Sequence, residues 1–203
     1  IDFFNHKFRN TKISDLQLLE NKEWESETLK IWKVGEVQAE KIMKNFLEEG
    51  IKDYSDGRNF PKKKNVSRLS PFLHWGQISP NTIWHALLKV SGVDSENIEV
   101  FKSELGWREF AYYLNYHFPY LQKENLKKNF DNFKWLNDEI SFQRWTKGET
   151  GIPIVDAGMR ELYQTGYMHN RSRMIVGSFL VKNLLIHWKK GEEWFWDCLF
   201  DAD

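Results

Sequence analysis

Hydrophobic residues begin to repeat with helical spacing about thirty-five residues into the chain. From Gly35 to about Gly50 they fall alternately three residues and one residue apart, with Glu and Lys filling the opposite face, which predicts an amphipathic helix. The apolar face consists of Ala39, Ile42, Met43, Phe46 and Leu47. Residues 1–34 are polar, charged and weakly periodic, so we interpret them as a linker or surface tail.

Proline and glycine divide the following stretch. Residues 54–70 contain glycine, proline and three consecutive lysines, which favours a loop. A serine precedes a proline at Ser70-Pro71 and again at Ser79-Pro80. Each pair combines a capping hydroxyl with a proline suited to the first helical position, so each predicts a helix start.

Four more helices are predicted in the second half of the chain. Residues 94–117 form the longest, and shorter ones cover 138–146 and 153–165, the latter ended by Gly166. Residues 170–188 are apolar nearly all round, which is typical of a centrally buried helix. No alternating strand pair occurs, so we predict an all-α fold with one helical domain over residues 35–203.

Composition narrows the possible functions. Lys plus Arg and Asp plus Glu both number 29, so a nucleic-acid surface must be a local patch. The six histidines lack the short paired spacings of metal sites, and no apolar run is long enough to cross a bilayer. The single cysteine, Cys198, has apolar neighbours and predicts a buried thiol in a reducing compartment. We therefore expect a cytoplasmic monomer without metal or membrane partner.

The segment 170–203 places polar residues in apolar surroundings. Asn170 and Arg173 are three residues apart and share a helix face. A buried arginine needs a partner, because an unpaired buried cation is costly, and Asp201 and Asp203 are the obvious acceptors. The pattern is compatible with a ligand site and also with a helix-to-loop salt bridge that binds no ligand.

Two other segments have the chemistry of binding sites. Residues 66–70 offer hydroxyls and free backbone N–H groups at a helix start, which is either an anion site or an ordinary cap. Glu104, Trp107 and Arg108 share one helix face and could hold a flat ligand with imide N–H groups, such as a pair of pyrimidines. The alternative is a core tryptophan beside a surface Glu–Arg pair.

Basic and aromatic residues add two possibilities. Arg58 and the lysines at 62–64 suit phosphate contacts, although a solvated loop explains them equally well. The ten tryptophans exceed what packing usually requires, although most must still lie in the core. Because indole can be oxidised transiently, a row of tryptophans could carry an electron.

Several motifs together resemble the DNA photolyase/cryptochrome family over residues 35–203. They are Gly-Glu at 35–36, N-V-S-R-L-S-P at 65–71, E-L-G-W-R-E-F at 104–110, M-H-N-R-S-R-M at 168–174 and F-D-A-D at 200–203. The resemblance implies the helical FAD-binding domain of a class I cyclobutane pyrimidine dimer photolyase, incomplete at both ends. It also implies an antenna domain, with folate or deazaflavin, that is absent from this sequence.

The resemblance further implies roles for individual residues. It assigns Glu104, Trp107 and Asn170 to catalysis, and Trp135 and Trp188 to an electron relay whose third, flavin-proximal member would lie beyond Asp203. DNA binding is implied for Arg58, Glu104, Trp107 and Arg171. Val66 stands where the family usually has threonine. The implied FAD contacts are Tyr54, Val66, Ser67, Arg68, Leu69, Ser70, Phe101, Arg108, Tyr167, Asn170, Arg173, Asp201 and Asp203.

Three functions are compatible with these observations. The first is light-driven repair, in which reduced FAD donates an electron that splits a pyrimidine dimer in damaged DNA. The second is a cryptochrome-type blue-light photoreceptor without repair, and the third is a helical interaction module without a cofactor. By the same resemblance, His169-Asn170 favours dimer repair. The (6-4) photolyases carry paired histidines at these positions, and plant-type cryptochromes usually have aspartate in place of Asn170. Glu104 and Trp107 also favour repair.

Overall fold

Helices form the regular structure of this chain. The computed structural model describes residues 12–16, 28 and 30–203. Within these residues the backbone has no β-strand, which confirms the all-α prediction. The helices are α1 (Glu36–Glu48), α2 (Tyr54–Gly57), α3 (Ser70–His74), α4 (Pro80–Leu87), α5 (Ser95–His117), α6 (Glu139–Lys147), α7 (Pro153–Thr165), α8 (Asn170–Ser178) and α9 (Trp188–Cys198). Single turns of 3-10 helix occupy Ile13–Leu16, Gly50–Asp53, Pro119–Gln122 and Lys128–Asn132, and a π-helical turn occupies Phe179–Asn183.

Local capping explains where most predicted helices begin and end. The Asp94 side chain accepts from the Glu96 N–H at the start of α5, and the Ser79 hydroxyl accepts from the Thr82 N–H at the start of α4. Gly166 follows α7 in the left-handed conformation, with φ 64°. These elements agree with the sequence prediction.

One prediction in the first half of the chain is wrong and another is correct only in part. The expected loop at 54–70 contains the short helix α2. The helix start predicted at Ser70-Pro71 is confirmed, but Ser70 does not cap α3, because Leu69 occupies the N-cap position and the Ser70 hydroxyl instead donates to Asp201 Oδ2 at 2.5 Å. A long-range carboxylate therefore replaces the local backbone partner.

The predicted helix over 170–188 is also wrong, because it is broken in its second half. Helix α8 ends at Ser178 and continues only as the π-helical turn. Leu185 then takes the left-handed conformation, with φ 53°, and its carbonyl accepts from the Leu136 N–H at 2.7 Å. The chain thus leaves the helix to form an isolated parallel bridge between Leu136 and Ile186, and the apolar character of this segment reflects burial rather than helical continuity.

Among the residues described above, the buried hydrophobic side chains form two clusters. The first cluster lies among helices α1, α2, α3, α4 and α5 and includes Phe46, Leu69 and Phe101. The second lies among α6, α7 and α8 and includes Trp145 and Leu162. Trp32, within the predicted tail, belongs to the first cluster, and its Nε1 donates to the Thr165 carbonyl at 2.6 Å. The rest of that predicted tail lies mostly outside the described residues.

The composition also led to expectations about the cysteine, membrane-spanning helices and metal sites. Cys198 is half-buried, and burial raises the pKa of its thiol to about 11. No helix in the described part of the chain is long and apolar enough to span a membrane. Within the same residues no group of three or more His, Cys, Asp or Glu side chains is arranged to hold a metal ion.

Asp156 stabilises the turn that leads into α7. It is buried, and its carboxylate accepts from the N–H and hydroxyl of Thr150 and from the Gly151 N–H, at 2.6–2.9 Å. Burial alone would raise the pKa of Asp156, but these hydrogen bonds and the nearby Arg160 charge lower it overall. Because the hydrogen bonds exist only in the folded state, their contribution is complete above the ordinary carboxyl pKa and disappears as the pH falls through the depressed folded value.

We expect Asp156→Asn to lower the free energy of unfolding at pH 7 by about 2 kcal/mol, because hydrogen bonds to a charged acceptor are lost. The difference from the unmodified chain should shrink on acidification toward pH 3. Urea unfolding at several pH values measures this effect. The exposed Asp197→Asn is the control and should stay within about 0.5 kcal/mol. A difference that is constant with pH would contradict the role assigned to the ionised carboxylate.

Candidate functional site

A cavity of ≈ 560 Å³ collects residues that are far apart in the sequence. Its walls come from α2, the turn before α3, the middle of α5, the start of α8 and the last residues of the chain. Most of the predicted site residues line it. They are Tyr54, Arg58, Val66, Ser67, Arg68, Ser70, Glu104, Trp107, Arg108, Tyr167, Asn170, Arg173, Asp201 and Asp203.

The remaining predicted residues lie elsewhere. Leu69 and Phe101 are buried behind the cavity wall, where the Phe101 ring packs edge-on against Tyr54 at 5.1 Å between centroids. Arg171 donates from Nε and Nη2 to Asn59 Oδ1, at 2.9 and 2.5 Å. Leu69 and Phe101 therefore position cavity residues rather than face the space, and Arg171 is held beside the cavity.

The centre of the site is the carboxylate of Asp201. Its Oδ2 accepts from Arg173 Nη2 at 2.8 Å and from the Ser70 hydroxyl at 2.5 Å. Arg173 also donates from Nε to the Met168 carbonyl at 2.8 Å. The Asp201 side chain is only 3% exposed, so this arginine is the cation that compensates for its removal from water. Of the two predicted acceptors, Asp201 and Asp203, it is Asp201 that pairs with Arg173.

The second carboxylate oxygen of Asp201 is an unused hydrogen-bond acceptor. Its Oδ1 is buried and has no hydrogen-bond partner among the described residues. A buried carboxylate oxygen without a partner is unusual, because such atoms are almost always satisfied by protein or bound groups. Asp201 can therefore accept from an N–H or O–H group of a ligand in the cavity.

The turn before α3 is held in an unusual conformation. Arg68 has φ 54°, which an L-residue with a long side chain adopts only when its surroundings impose it. The Arg68 guanidinium lies over the rings of Trp32 and Tyr167, 5.1 and 4.7 Å from their centroids. These aromatic contacts place a cation at the cavity wall, and among the described residues no carboxylate forms an ion pair with it.

A second ion pair lies across the cavity. Arg58 Nη1 donates to Glu104 Oε1 at 2.5 Å, and the Arg58 guanidinium is 5.3 Å from the Tyr54 ring centroid. Burial would lower the pKa of Arg58, but its bond to Glu104 raises it. Burial raises the pKa of Tyr54 to about 12, so its hydroxyl stays protonated. Arg58, predicted to contact DNA phosphate, thus also orients the predicted lesion contact.

Tyr112 is a cavity residue that the sequence analysis missed. Its hydroxyl accepts from Arg108 Nη2 and donates to Asp203 Oδ2, both at 3.0 Å. Burial and the contact with Asp203 raise the pKa of this hydroxyl. The available signal was its position one helical turn after Arg108, which places both side chains on one face of α5.

The mouth of the cavity presents Trp107 and Asn170 to solvent. Trp107 is 63% exposed, and its ring meets Phe110 edge-on at 5.8 Å. Asn170 is the first residue of α8, which is capped by His169 Nδ1 accepting from the Arg171 N–H. Burial and the charges of Arg171, Arg173 and Arg58 lower the pKa of His169, which favours the neutral imidazole that this cap requires.

Other predicted residues lie away from the cavity. Trp135 and Trp188 each contact the ring of His187, at 5.2 and 5.4 Å between ring centroids. Of the three lysines at 62–64, Lys63 donates to the carboxylates of Asp53 and Asp56. Lys63 is therefore neutralised within the chain, which weakens the proposed phosphate role of this run.

Comparisons with known proteins show the same family as the motifs. The family described as the FAD binding domain of DNA photolyase matches residues 101–203. The chain belongs to the DNA photolyase family. A deoxyribodipyrimidine photo-lyase of Agrobacterium fabrum is 49% identical over 96% of the chain, which spans 41% of that relative. The chain thus spans well under half the length of this curated relative.

The chain is also similar to a photolyase of known structure and to a cryptochrome. The crystal structure of a bacterial class III photolyase from Agrobacterium tumefaciens superposes with a TM-score of 0.91 at 50% identity, over 95% of this chain and 40% of that one. Cryptochrome-1 of Sinapis alba is 39% identical over 85% of the chain and 36% of its own length. The class I assignment is not supported, since the structural relative is a class III photolyase.

We expect Arg173→Met to lower the free energy of unfolding by about 2–3 kcal/mol, because it leaves the Asp201 carboxylate buried without its cation. The expected loss is at the lower end for buried pairs, since the Arg173 side chain is 26% exposed. The double variant Arg173→Met/Asp201→Asn should recover part of the loss. Urea unfolding of both proteins measures this coupling.

The matched control is Lys44→Met, which breaks the exposed pair between Lys44 and Glu40. Its loss should remain below about 0.5 kcal/mol. Equal losses for Lys44→Met and Arg173→Met would show that burial of Asp201 is not decisive.

Proposed function

We propose that this chain is the FAD-binding and lesion-binding part of a photolyase that uses light to split cyclobutane pyrimidine dimers in DNA. The observation that carries the proposal is the cavity of ≈ 560 Å³, where fourteen of the predicted site residues converge. The resemblance to a deoxyribodipyrimidine photo-lyase supports the same activity.

The cavity has the chemistry that FAD requires. FAD carries a diphosphate with two negative charges, and the side chains of Arg58, Arg68, Arg108 and Arg173 line the wall. Three carboxylates also line it, so positive charge is in slight excess. The unpartnered Oδ1 of Asp201 provides a buried acceptor for an N–H or hydroxyl group of the cofactor. The residues present therefore fit the group.

Different parts of the wall would hold different parts of the cofactor. We assign Arg68, the Ser67 hydroxyl and the Ser70 N–H group to the phosphates, since the turn at 66–70 supplies a cation and hydrogen-bond donors, while the Ser70 hydroxyl stays on Asp201. Asp201 and Arg173 would contact the ring and ribose. Val66, in place of the usual threonine, leaves this part of the contact to backbone donors.

The lesion would enter at the mouth of the same cavity. The exposed indole of Trp107 offers a face on which the two joined pyrimidines of a flipped-out lesion can stack. Glu104 can accept from imide N–H groups, while Arg58 fixes the orientation of its carboxylate. Arg171, held by Asn59 beside the cavity, is available for backbone phosphates.

FAD, when bound and reduced, supplies the light-driven one-electron chemistry that opens the cyclobutane ring. The protein holds the lesion near the cofactor and keeps both in a fixed orientation. Trp135 and Trp188 would return electrons to the cofactor site from the surface. The cytoplasmic location and the monomeric state belong to this proposal, and an antenna chromophore would require a domain outside this sequence.

A cryptochrome-type photoreceptor is the second candidate. The 39% identity to Cryptochrome-1 of Sinapis alba supports it. A cavity that binds flavin is compatible with both functions. The two differ at the mouth, since repair needs groups that hold a lesion and signalling does not. Glu104 and Trp107 therefore support repair.

We expect the chain to bind FAD, and Asp201→Asn to weaken this binding about tenfold or more, because a buried charged acceptor is lost (about 1.4 kcal/mol). Titration followed by flavin absorbance measures the dissociation constant. Asp197→Asn, an exposed acid outside this cavity, should bind like the unmodified chain. Absence of any bound flavin would contradict the proposed function.

We expect Trp107→Ala to weaken binding of an oligonucleotide with a thymine dimer about 5–150-fold, because a stacking contact of about 1–3 kcal/mol is removed. FAD affinity should change far less. Fluorescence polarisation with damaged and undamaged oligonucleotides measures the preference, and Trp84→Phe is the control because Trp84 lies on α4 outside the cavity. Flavin binding without any preference for damaged DNA, and without dimer loss under blue light, would favour the cryptochrome alternative.

A further inference from the structure

The start of α8 depends on a histidine rather than on one of the usual capping residues. His169 occupies the N-cap position, and its Nδ1 atom accepts from the Arg171 N–H at 3.2 Å. Serine, threonine, aspartate and asparagine are preferred at this position, and their oxygen atoms remain acceptors near neutral pH. An imidazole nitrogen does not, because protonation turns Nδ1 into a donor. The first turn of α8 therefore has a cap that is sensitive to pH.

The surroundings of His169 oppose its protonation. The residue is 3% exposed, and its Nε2 atom is buried without a hydrogen-bond partner in the part of the chain that the structure describes. In the neutral ring Nε2 carries the proton, because Nδ1 is the acceptor. Protonation would thus add a second N–H group where the first already lacks an acceptor, and it would break the cap.

The charged groups around His169 come from three helices and are mostly cationic. Burial, together with the charges of Arg171 and Arg173 on α8 and Arg58 on α2, holds the pKa of His169 below its ordinary value. Glu161 of α7 supplies a carboxylate, but its Oε2 accepts from the backbone N–H of His169, at 3.5 Å, and not from the ring. The positive end of the α8 dipole adds to the repulsion of an imidazolium.

The first turn of α8 carries polar side chains of the proposed site. Asn170 lines the cavity of ≈ 560 Å³, as does Arg173, which pairs with Asp201. From the same turn Arg171 donates to Asn59 beside the cavity. Without an acceptor for the Arg171 N–H this turn loses its cap and frays, so these side chains lose their fixed positions.

The body of α8 is held independently of its cap. Ser172 and Val176 are buried against α7 at Gly158, where a Cβ atom would come within 3.1 Å of Val176 Cγ1 and 3.4 Å of Ser172 Cβ. Trp145 Nε1 also donates to the Val176 carbonyl, at 3.0 Å. Because none of these side chains titrates near neutral pH, their contacts persist when His169 is protonated. The effect of protonation is therefore confined to the start of the helix.

We infer that His169 is a positioning residue whose neutral ring holds Asn170 and Arg173 in the geometry that binds flavin, and whose protonation releases them. The inference rests on the proposed function, because it concerns the same cavity. It adds a dependence on pH that the two positioned side chains do not supply, since an amide and a guanidinium do not titrate in this range.

The lowered pKa of His169 fixes the direction of the effect. The capped conformation takes up the proton less readily than the frayed one. It is therefore fully favoured above the ordinary histidine pKa of about 6.5, and it loses this advantage as the pH falls from there toward the lowered value. Flavin affinity should be constant above neutrality and should fall in mildly acid solution.

Two substitutions separate the cap from the titration. His169→Asn keeps a capping oxygen and removes the titrating ring, whereas His169→Ala removes both. For the unmodified chain we expect the dissociation constant for FAD to rise about three- to tenfold between pH 7.5 and pH 5. His169→Asn should show a constant value over this range, and His169→Ala should bind weakly at every pH. His85→Asn, at an exposed histidine on α4, is the control and should keep the pH dependence of the unmodified chain.

A second readout needs neither flavin nor a variant. In NMR of the unmodified, flavin-free chain, the protection of the Arg171 amide against hydrogen exchange should fall as the His169 ring protons titrate, once the intrinsic exchange rate at each pH is taken into account. The Val176 amide, in the next turn, should keep its protection.

Each measurement has an outcome that decides against the inference. Arg171 protection that does not follow the His169 titration would overturn it, whether or not the variants fold. An equal pH dependence of flavin binding in the unmodified chain and in His169→Asn would overturn it as well. Failure of the unmodified chain to bind flavin at any pH would instead overturn the proposed function, and the NMR titration would still decide whether His169 controls the cap.

Discussion

The arrangement of the whole site depends on one buried carboxylate. Asp201 connects the end of the chain to α8 through Arg173 and to α3 through Ser70. Such a carboxylate is stable only when charge and hydrogen bonds compensate for its removal from water. Because its partners come from separate helices, the same compensation determines where three walls of the cavity meet.

The cavity also lies at the boundary between the two hydrophobic clusters. Tyr167 belongs to the first cluster and its neighbour Met168 to the second, and both line the cavity. The Phe200 N–H donates to the Gly166 carbonyl at 2.9 Å, and a Cβ on Gly166 would come within 2.9 Å of the Phe200 ring. The glycine that ends α7 therefore also allows the last residues to pack closely, which brings Asp201 to the boundary.

Local signals and long-range contacts differ in how well the sequence predicts them. The caps Asp94 and Ser79 act on residues two or three positions away, so the starts of α5 and α4 could be predicted. Ser70 was assigned a local cap because its true partner is 131 residues distant. Arg173 and Asp201 could be paired in advance, since a buried cation requires an acceptor. The network through Tyr112 has a weaker signal, its spacing from Arg108, because tyrosine carries no formal charge that demands a partner.

The π-helical turn at Phe179–Asn183 has a consequence for how the molecule tolerates change. The wider turn shifts the point at which the chain leaves the helix, at Leu185, relative to Arg173 on the preceding helix. Arg173 and Trp188 thus face a common wall although the segment between them is not a continuous helix. A single-residue deletion in this turn would preserve composition and hydrophobicity, yet it would put the two ends of the segment out of phase. Length here is therefore under a stricter constraint than residue identity.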